Sequence, residues 1–236
     1  MLVRNTNPGQ YRCVIFQAQG ISVSQRPRLR RPTRITVRSA WEQRKLGDCF
    51  DFLRNNTLSR AELNDEDGAA RNVHYGDILV KFGECLANDA NDLPYISDSD
   101  IAARYAVSAL VVGDIVFADT AEDDAAGKCL ELLELPDEPT VSGLHTIPAR
   151  PRFAFGPGYL GHYLNSSAYH TQLLPLMQGI KVISVSKSSL QDTSISFPSL
   201  PEQRLIGSLF ARLDSLITLH QREAAWNHVR QQRLGS

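Results

Sequence analysis

The sequence predicts an α+β fold, in which a domain of mixed short strands at 41–198 precedes one long coiled-coil-type helix at 199–233. Two observations lead to this prediction. Short aliphatic runs follow Gly-Asp pairs, which is typical of strands that begin after tight turns. After residue 199 the apolar residues recur at intervals of three and four, which is the period of an amphipathic helix. Hydrophobic residues make up 42% of the chain, enough for a packed core.

The strands are predicted from local phrases. Two similar phrases, 73–80 and 110–117, each place a Gly-Asp turn before an aliphatic run, and each predicts a strand after the turn. Further strands are predicted at 130–135, 140–147, 180–185 and 193–197. A helical stretch is predicted to begin after Gly156-Pro157, with Leu160, Leu164 and Ala168 on one face, and to end at Gln178-Gly179.

The last segment is the clearest helix. Ser199 and Glu202 form a capping-box pattern, and Pro201 falls in the first turn, where no amide donor is lost. No further proline interrupts the segment, so the helix would be roughly 50 Å long, since each residue adds about 1.5 Å. An apolar seam runs along it through Ile206, Leu209, Leu213, Leu216 and Ile217, and His220 continues it. The seam predicts pairing with a partner helix, and the alternative is a helix folded back along its own domain.

Charge is distributed unevenly, although the net charge is only −1. Residues 1–45 carry ten Lys and Arg against one acid, whereas 46–150 carry seven against 21 acids. The first 38 residues are rich in arginine and proline without an amphipathic period, which predicts a disordered basic extension; the alternative is an arm that holds nucleic acid. Neither a run of about 20 apolar residues nor a secretory signal occurs, so a cytoplasmic protein is predicted.

The motifs of catalysis and cofactor binding are missing from the sequence. It contains no phosphate-binding Walker loop, no Gly-rich methyl-donor loop and no Asn-Pro-Pro-aromatic motif. The four cysteines form no CxxC pair, and the six histidines have no metal-binding spacing. The loose grouping of Asp114, Asp119, Glu122 and Lys128 is better explained as a surface loop than as a nuclease centre. We therefore expect no catalytic residues, no cofactor and no metal.

Several phrases, taken in order, resemble the specificity subunits of type I restriction–modification systems. The resemblance covers about residues 41–233 and depends on the whole ordered set, because a single Gly-Asp-Ile is a weak signal. The phrases are Trp41-Glu42-Gln43-Arg44-Lys45-Leu46-Gly47-Asp48, His74-Tyr75-Gly76-Asp77-Ile78-Leu79, Gly113-Asp114-Ile115, Tyr159-Leu160-Gly161-His162-Tyr163-Leu164-Asn165-Ser166, Gly179-Ile180-Lys181-Val182, Ser184 to Ser189, Phe197-Pro198-Ser199-Leu200-Pro201-Glu202-Gln203 and Leu213-Asp214-Ser215-Leu216-Ile217.

The resemblance implies a non-catalytic subunit that binds double-stranded DNA and directs its methylation, and its cleavage, by partner subunits. Those partners would be methyltransferase (modification) subunits and a restriction or translocase subunit. Such subunits look like two copies of one recognition domain and one helix, whereas this chain holds one copy. A natural half-subunit that forms a homodimer or pairs with another half fits this departure, and so does a truncated gene product. A remnant, or a module that binds methyltransferase subunits without reading DNA, is the alternative function.

Candidate DNA contacts follow from chemistry, because lysine and serine side chains commonly contact phosphates. Lys181, Ser184, Ser186 and Lys187 crowd one loop beside Gly179, and Lys81 is a second candidate. The alternative is a solvated loop with ordinary surface lysines. Two acidic clusters, Asp65-Glu66-Asp67 and Glu122-Asp123-Asp124, are predicted to face away from DNA.

Overall fold

The computed structural model describes residues 41–234, and for residue 225 and residues 227–234 it describes the backbone alone. The basic extension predicted at 1–38 lies outside the described residues. Within them the chain forms an α+β domain followed by a long helix, so the predicted fold class is confirmed.

The described strands are short. In chain order they are β1 Glu42–Lys45, β2 Phe50–Phe52, β3 Leu63–Asn64, β4 Ala70–Val73, β5 Cys85–Leu86, β6 Tyr95–Ile96, β7 Ile115–Ala118, β8 Thr120–Ala121, β9 Cys129–Leu132, β10 Thr140–Ser142, β11 Thr146–Pro151, β12 Ile183–Ser184 and β13 Ser194–Phe197. The helices are α1 Leu46–Cys49, α2 Tyr75–Val80, α3 Ser99–Tyr105, α4 Tyr159–Asn165, α5 Ser167–His170, α6 Lys187–Asp192 and α7 Leu200–Leu234.

The strands form two main sheets and two small pairs. The larger sheet has the order β2-β11-β7-β9-β5, and the smaller has the order β10-β4-β6-β3. β5 runs parallel to β9 and β10 runs parallel to β4, whereas the other pairs are antiparallel. β1 pairs with β13, so the beginning and the end of the domain meet beside the start of the long helix.

The larger sheet is buried on both faces, and the alternation of side chains along its strands divides the core in two. Ile115 and Phe117 of β7 face a cluster that includes α4, α5 and α6, whereas Val116 and Ala118 face a cluster that includes Ile78 of α2. A third cluster joins α3 to the smaller sheet. The central position of β7 explains why its aliphatic run was recognisable as a strand.

The strand predicted after Gly76-Asp77 in the phrase 73–80 is wrong, because Tyr75–Val80 form helix α2. The His74 side chain accepts a hydrogen bond from the Gly76 amide (3.1 Å), which caps the helix at its first turn. Asp77 lies in that turn, where a carboxylate favours helix formation. Val80 remains 87% exposed, so the aliphatic run is not a buried strand. The matching Gly-Asp phrase at 110–117 does precede a strand, β7.

Four other predicted elements are shorter or interrupted, and the strand predicted at 130–135 is one of them, because β9 ends at Leu132. The strand predicted at 140–147 is divided into β10 and β11 by a turn in which His145 adopts a positive φ of 55°. The helix predicted after Gly156-Pro157 breaks at Ser166, whose backbone is extended, and Ala168 is exposed. Only Ile183–Ser184 of 180–185 is a strand, and the second half of the segment from Ser184 to Ser189 folds as the start of α6.

The long helix is confirmed, and its first part is fixed to the domain by polar and backbone contacts. Gln203 is buried (3% exposed); its side chain accepts from the Gly156 amide (2.9 Å) and donates to the Pro198 carbonyl (2.9 Å). Gly207 lies against the 157–158 backbone so closely that an added Cβ would overlap the Pro157 carbonyl oxygen. Gly207, which in the sequence is only a poor helix former, is therefore a packing residue.

Gly207→Ala tests this close approach. In an exposed helix the change would raise the free energy of unfolding by up to about 1 kcal/mol, because alanine is the better helix former. Here the methyl group must displace Pro157 or the helix, so we expect the free energy of unfolding to fall by about 1–3 kcal/mol. Urea denaturation followed by circular dichroism measures the change. Gly83→Ala is the matched control, since nothing lies within 4 Å of a Cβ at Gly83, and equal effects of the two changes would contradict the packing role.

Candidate nucleic-acid interface

Two of the predicted contact residues, Lys181 and Ser184, lie in a tight loop formed by residues 178–184. The amide of Gln178 donates to the Ser184 carbonyl (3.0 Å), and the Ser184 amide donates back to the Gln178 carbonyl (2.8 Å). Gly179 has a φ of 118°, and a Cβ there would overlap the Val182 carbonyl oxygen, so only glycine fits this turn. The loop holds Ile180 (98% exposed) and Lys181 out in solvent.

The start of α6 follows this loop directly and carries two more predicted residues. The Ser186 hydroxyl accepts from the Ser189 amide (3.0 Å), which caps α6, and it also contacts the hydroxyls of Ser188 and Ser189 at 2.8 and 2.9 Å. Lys187 is exposed, and its ammonium lies 5.1 Å from the centre of the Phe52 ring. Three hydroxyls and one cation therefore lie close together, and groups of these kinds commonly contact phosphates.

Hydrogen bonds join this segment to two neighbouring turns. Ser184 pairs with Thr120 of β8, and the Val185 amide donates to the Asp119 carbonyl (2.8 Å). The Asp119 carboxylate accepts from the Thr120 hydroxyl (2.7 Å), and Nδ1 of His145 lies 3.3 Å from its Oδ1. The segment therefore has a defined position on the domain.

A cleft of about 210 Å³ lies at this junction. Its polar lining consists of Asn55, Asp119, Thr146, Ser186 and Lys187. Such donors and acceptors can form hydrogen bonds with base edges as well as with phosphates. Ser186 and Lys187 were predicted as contacts, but Asn55, Asp119 and Thr146 were not, because they come from distant segments that no local pattern connects. We call residues 178–187, His145 and the cleft the loop surface.

Lys81 does not belong to this segment. It lies at the C-terminus of α2, where its ammonium donates to the Asp92 carbonyl (2.5 Å) and lies 5.3 Å from the centre of the Phe82 ring. Its contacts within the domain are those of a lysine that stabilises local structure. A role for Lys81 in DNA contact remains a prediction.

The two acidic clusters differ in position. Asp65-Glu66-Asp67 is exposed between β3 and β4, in the smaller sheet. Glu122-Asp123-Asp124 directly follows β8, whose Ala121 pairs with Ile183 of β12, so this cluster adjoins the loop surface. The hypothesis that the second cluster faces away from DNA is therefore difficult to reconcile with phosphate contact by Lys181.

Five of the six predicted helix-pairing residues are exposed. Leu209, Leu213, Leu216 and Ile217 are between 43% and 56% exposed, and the side chain of His220 is 80% exposed. Ile206 differs, because it is partly buried against the main core of its own domain. The helix thus has a domain-facing stripe, Gln203, Gly207 and Asp214, next to an exposed apolar stripe. The pairing role stays a prediction.

Four ionisable groups of the core have raised pKa values. Burial raises the pKa of the Cys85 and Cys129 thiols, and raises that of the Tyr159 and Tyr169 hydroxyls. A thiol with a raised pKa stays protonated and is a poor nucleophile. The loop surface offers hydroxyl, amide, imidazole and ammonium groups, which suit binding.

No helix in the described part of the chain is both long and apolar enough to cross a membrane.

The comparisons with known proteins identify similar folds among solved structures. No protein-family model matches the chain, and no curated protein matches it. A chain from a structure concerning complex assembly and conformational transition of the type I R-M system has a TM-score of 0.54 and 18% identity, covering 82% of this chain and 43% of that one. The HsdS subunit from Thermoanaerobacter tengcongensis has a TM-score of 0.50 and 18% identity, covering 82% and 42%.

A third similar structure, the type I restriction–modification S subunit from M. genitalium, has a TM-score of 0.48 and 12% identity, covering 77% of this chain and 41% of that one. The first two matches show a shared fold. They confirm the fold expected from the sequence resemblance to type I specificity subunits. The chain spans less than half the length of each of these three proteins.

Proposed function

We propose that this chain is a sequence-specific DNA-binding specificity subunit, of half length, of a type I restriction–modification complex. The observation that carries the proposal is one α+β domain followed by one long helix, in a fold shared over 82% of the chain with the HsdS subunit. That match covers 42% of the HsdS chain, which suits one of the two units that the sequence resemblance implies.

Within this proposal the loop surface contacts DNA. Lys181 and Lys187 would neutralise phosphates, and the Ser184 and Ser186 hydroxyls would add hydrogen bonds to the backbone. His145 and the polar cleft would supply groups that read base edges. The adjoining Glu122-Asp123-Asp124 cluster opposes phosphate binding, so methyltransferase subunits would supply much of the remaining phosphate contact.

The exposed helix would pair with another helix. Past Asp214, the last residue with a described contact to the domain, α7 continues for about 30 Å at 1.5 Å per residue. An exposed apolar stripe on such a helix is stabilised when a partner covers it. Antiparallel pairing of two copies would place two identical reading surfaces about a twofold axis, which predicts a palindromic, interrupted DNA target.

The catalytic steps belong to the partners in this proposal. Methyltransferase subunits would transfer the methyl group, and a restriction or translocase subunit would cleave the DNA. This chain would choose the site and hold the partners there. A module that binds methyltransferase subunits without reading DNA is the competing function, and the acidic cluster beside the loop surface favours it.

Mapping methylated adenines separates these functions. The chain is expressed with its cognate methyltransferase subunit in a host without DNA methylation, and modified adenines are located by single-molecule sequencing. We expect one palindromic, gapped motif, because a twofold dimer reads the same half-site twice. A soluble complex that leaves the genome unmethylated would refute DNA reading and support the competing module.

Lys187→Ala tests phosphate contact by the loop surface. Loss of one phosphate contact should lower the slope of log affinity against log salt concentration by about 1. Fluorescence anisotropy with duplex DNA over a series of salt concentrations measures this slope. Arg104→Ala is the matched control, because Arg104 is an equally charged exposed residue on α3, which packs on the smaller sheet. Equal slopes for the two variants would exclude Lys187 as a contact.

Charged substitutions on the seam test helix pairing. Leu213→Glu combined with Leu216→Glu should convert dimers to monomers, because burying two carboxylates between helices is unfavourable. Sedimentation equilibrium measures the oligomeric state. Ser215→Glu adds a carboxylate to the same helix about 160° from Leu213, given roughly 100° per residue, and should leave the dimer intact. A dimer that survives the double change would show that another surface joins the copies.

A further inference from the structure

Three potential metal ligands converge where the long helix leaves the domain. Glu84 precedes β5, His162 lies on α4 and Asp214 lies on α7. One ligating atom from each lies within 4.8 Å of the others. The three residues are far apart in the chain, which is why the spacing of the histidines gave no indication of a site. The expectation that the chain has no metal site was based on patterns along the sequence, which do not show residues that only the fold brings together.

The imidazole of His162 is buried and held in one orientation. Its side chain is 8% exposed, and its ring stacks on that of Phe210 with 4.5 Å between the ring centres. Nε2 lies 3.3 Å from Oδ2 of Asp214. Among the described residues no hydrogen bond to this ring occurs, so Nε2 of a side chain that is more than nine-tenths buried has only the 3.3 Å contact to Asp214 as a polar contact. Such a nitrogen is suited to accept a further partner.

The backbone beneath the three side chains is fixed. The Glu131 amide donates to the Glu84 carbonyl (3.0 Å), which holds Glu84 against β9. Gly161 of α4 approaches the same carbonyl so closely that a Cβ would overlap it. Asp214 is held by its place on α7, whose Phe210 packs on His162 one turn earlier. The ligand positions are therefore largely arranged before any ion binds, which lowers the cost of binding.

We propose that Glu84, His162 and Asp214 bind a divalent transition-metal ion, with Zn²⁺ as the best-fitting ion. One imidazole nitrogen and two carboxylate oxygens are a ligand set that Zn²⁺ accepts, and water would complete the coordination. Mg²⁺ prefers oxygen ligands throughout and is a poorer fit. The ion would tie α7 to α4 and to the residue before β5. It would thus fix the direction in which the helix leaves the domain, independently of DNA reading.

Calorimetric titration of the metal-free full chain with ZnCl₂ tests the proposal. We expect one ion per chain, no heat with MgCl₂, and a rise in melting temperature with Zn²⁺, because an ion that binds only the folded state stabilises it. His162→Asn should weaken binding by at least about tenfold. Asp214→Asn is the second variant; its carboxylate is about half exposed, so the change spares the core, and it should weaken binding too.

His145→Asn is the matched control. It removes a histidine with the same 3.3 Å contact to an aspartate but no third ligand, and asparagine tolerates the positive φ of this position. The affinity for Zn²⁺ should be unchanged in this variant. The proposal is overturned if the unaltered chain binds no Zn²⁺, or if His162→Asn and Asp214→Asn both bind it as tightly as the unaltered chain, which would assign the ion to other groups such as the thiols. Melting temperatures without metal verify that each variant is folded.

Discussion

The carboxylate of Glu131 fixes the start of α4, and the rest of the helix–domain junction depends on it. Glu131 lies on β9 of the larger sheet and is 2% exposed. Its oxygens accept from the Gly158 amide (2.9 Å) and the Gly161 amide (2.6 Å), which would otherwise be unsatisfied at a helix start. Burial raises the pKa of this carboxyl, and the amide hydrogen bonds act in the opposite direction. An uncompensated carboxylate here would destabilise the fold by several kcal/mol.

The position of α4 determines how α7 is held. The 156–158 backbone at the start of α4 receives Gln203 and Gly207, while His162 in its middle receives Phe210 and Asp214. These contacts lie on one stripe of the long helix and leave the adjacent apolar stripe exposed. The larger sheet, α4 and α7 thus form one connected series of contacts, which begins at the Glu131 carboxyl group and the backbone amides that donate to it.

The sequence predicted the parts of this fold that follow from local chemistry. The long helix was predictable because its period, its proline-free length and its start signals lie in one segment. β7 was predictable because an aliphatic run follows a turn glycine. The same Gly-Asp-Ile phrase gave a wrong prediction at α2, where the His74 side chain caps a helix. The three residues of the phrase are identical at both places, so they cannot distinguish the helix α2 from the strand β7.

The candidate interface was predicted only in part, for a related reason. Ser184, Ser186 and Lys187 were found because they are neighbours in the chain. Asn55 and Thr146 join them through the arrangement of the sheets, which no linear pattern encodes. The buried carboxylate of Glu131 and the grouping around His162 were equally out of reach, since each joins segments separated by many residues.

The tight seating of Gly207 against Pro157 sets the rotational phase of the whole projecting helix. Because the domain contacts the stripe formed by Gln203, Gly207 and Asp214, every later residue of the helix has a fixed direction relative to the loop surface. Each residue inserted beyond Asp214 would turn whatever follows by about 100° and move it by about 1.5 Å. Natural length variants that keep the same pairing face should therefore differ by about seven residues, or two turns, which change the span by roughly 10 Å with a drift of only about 20°. The length of the helix can therefore change only in steps of whole turns if its pairing face is to keep its direction.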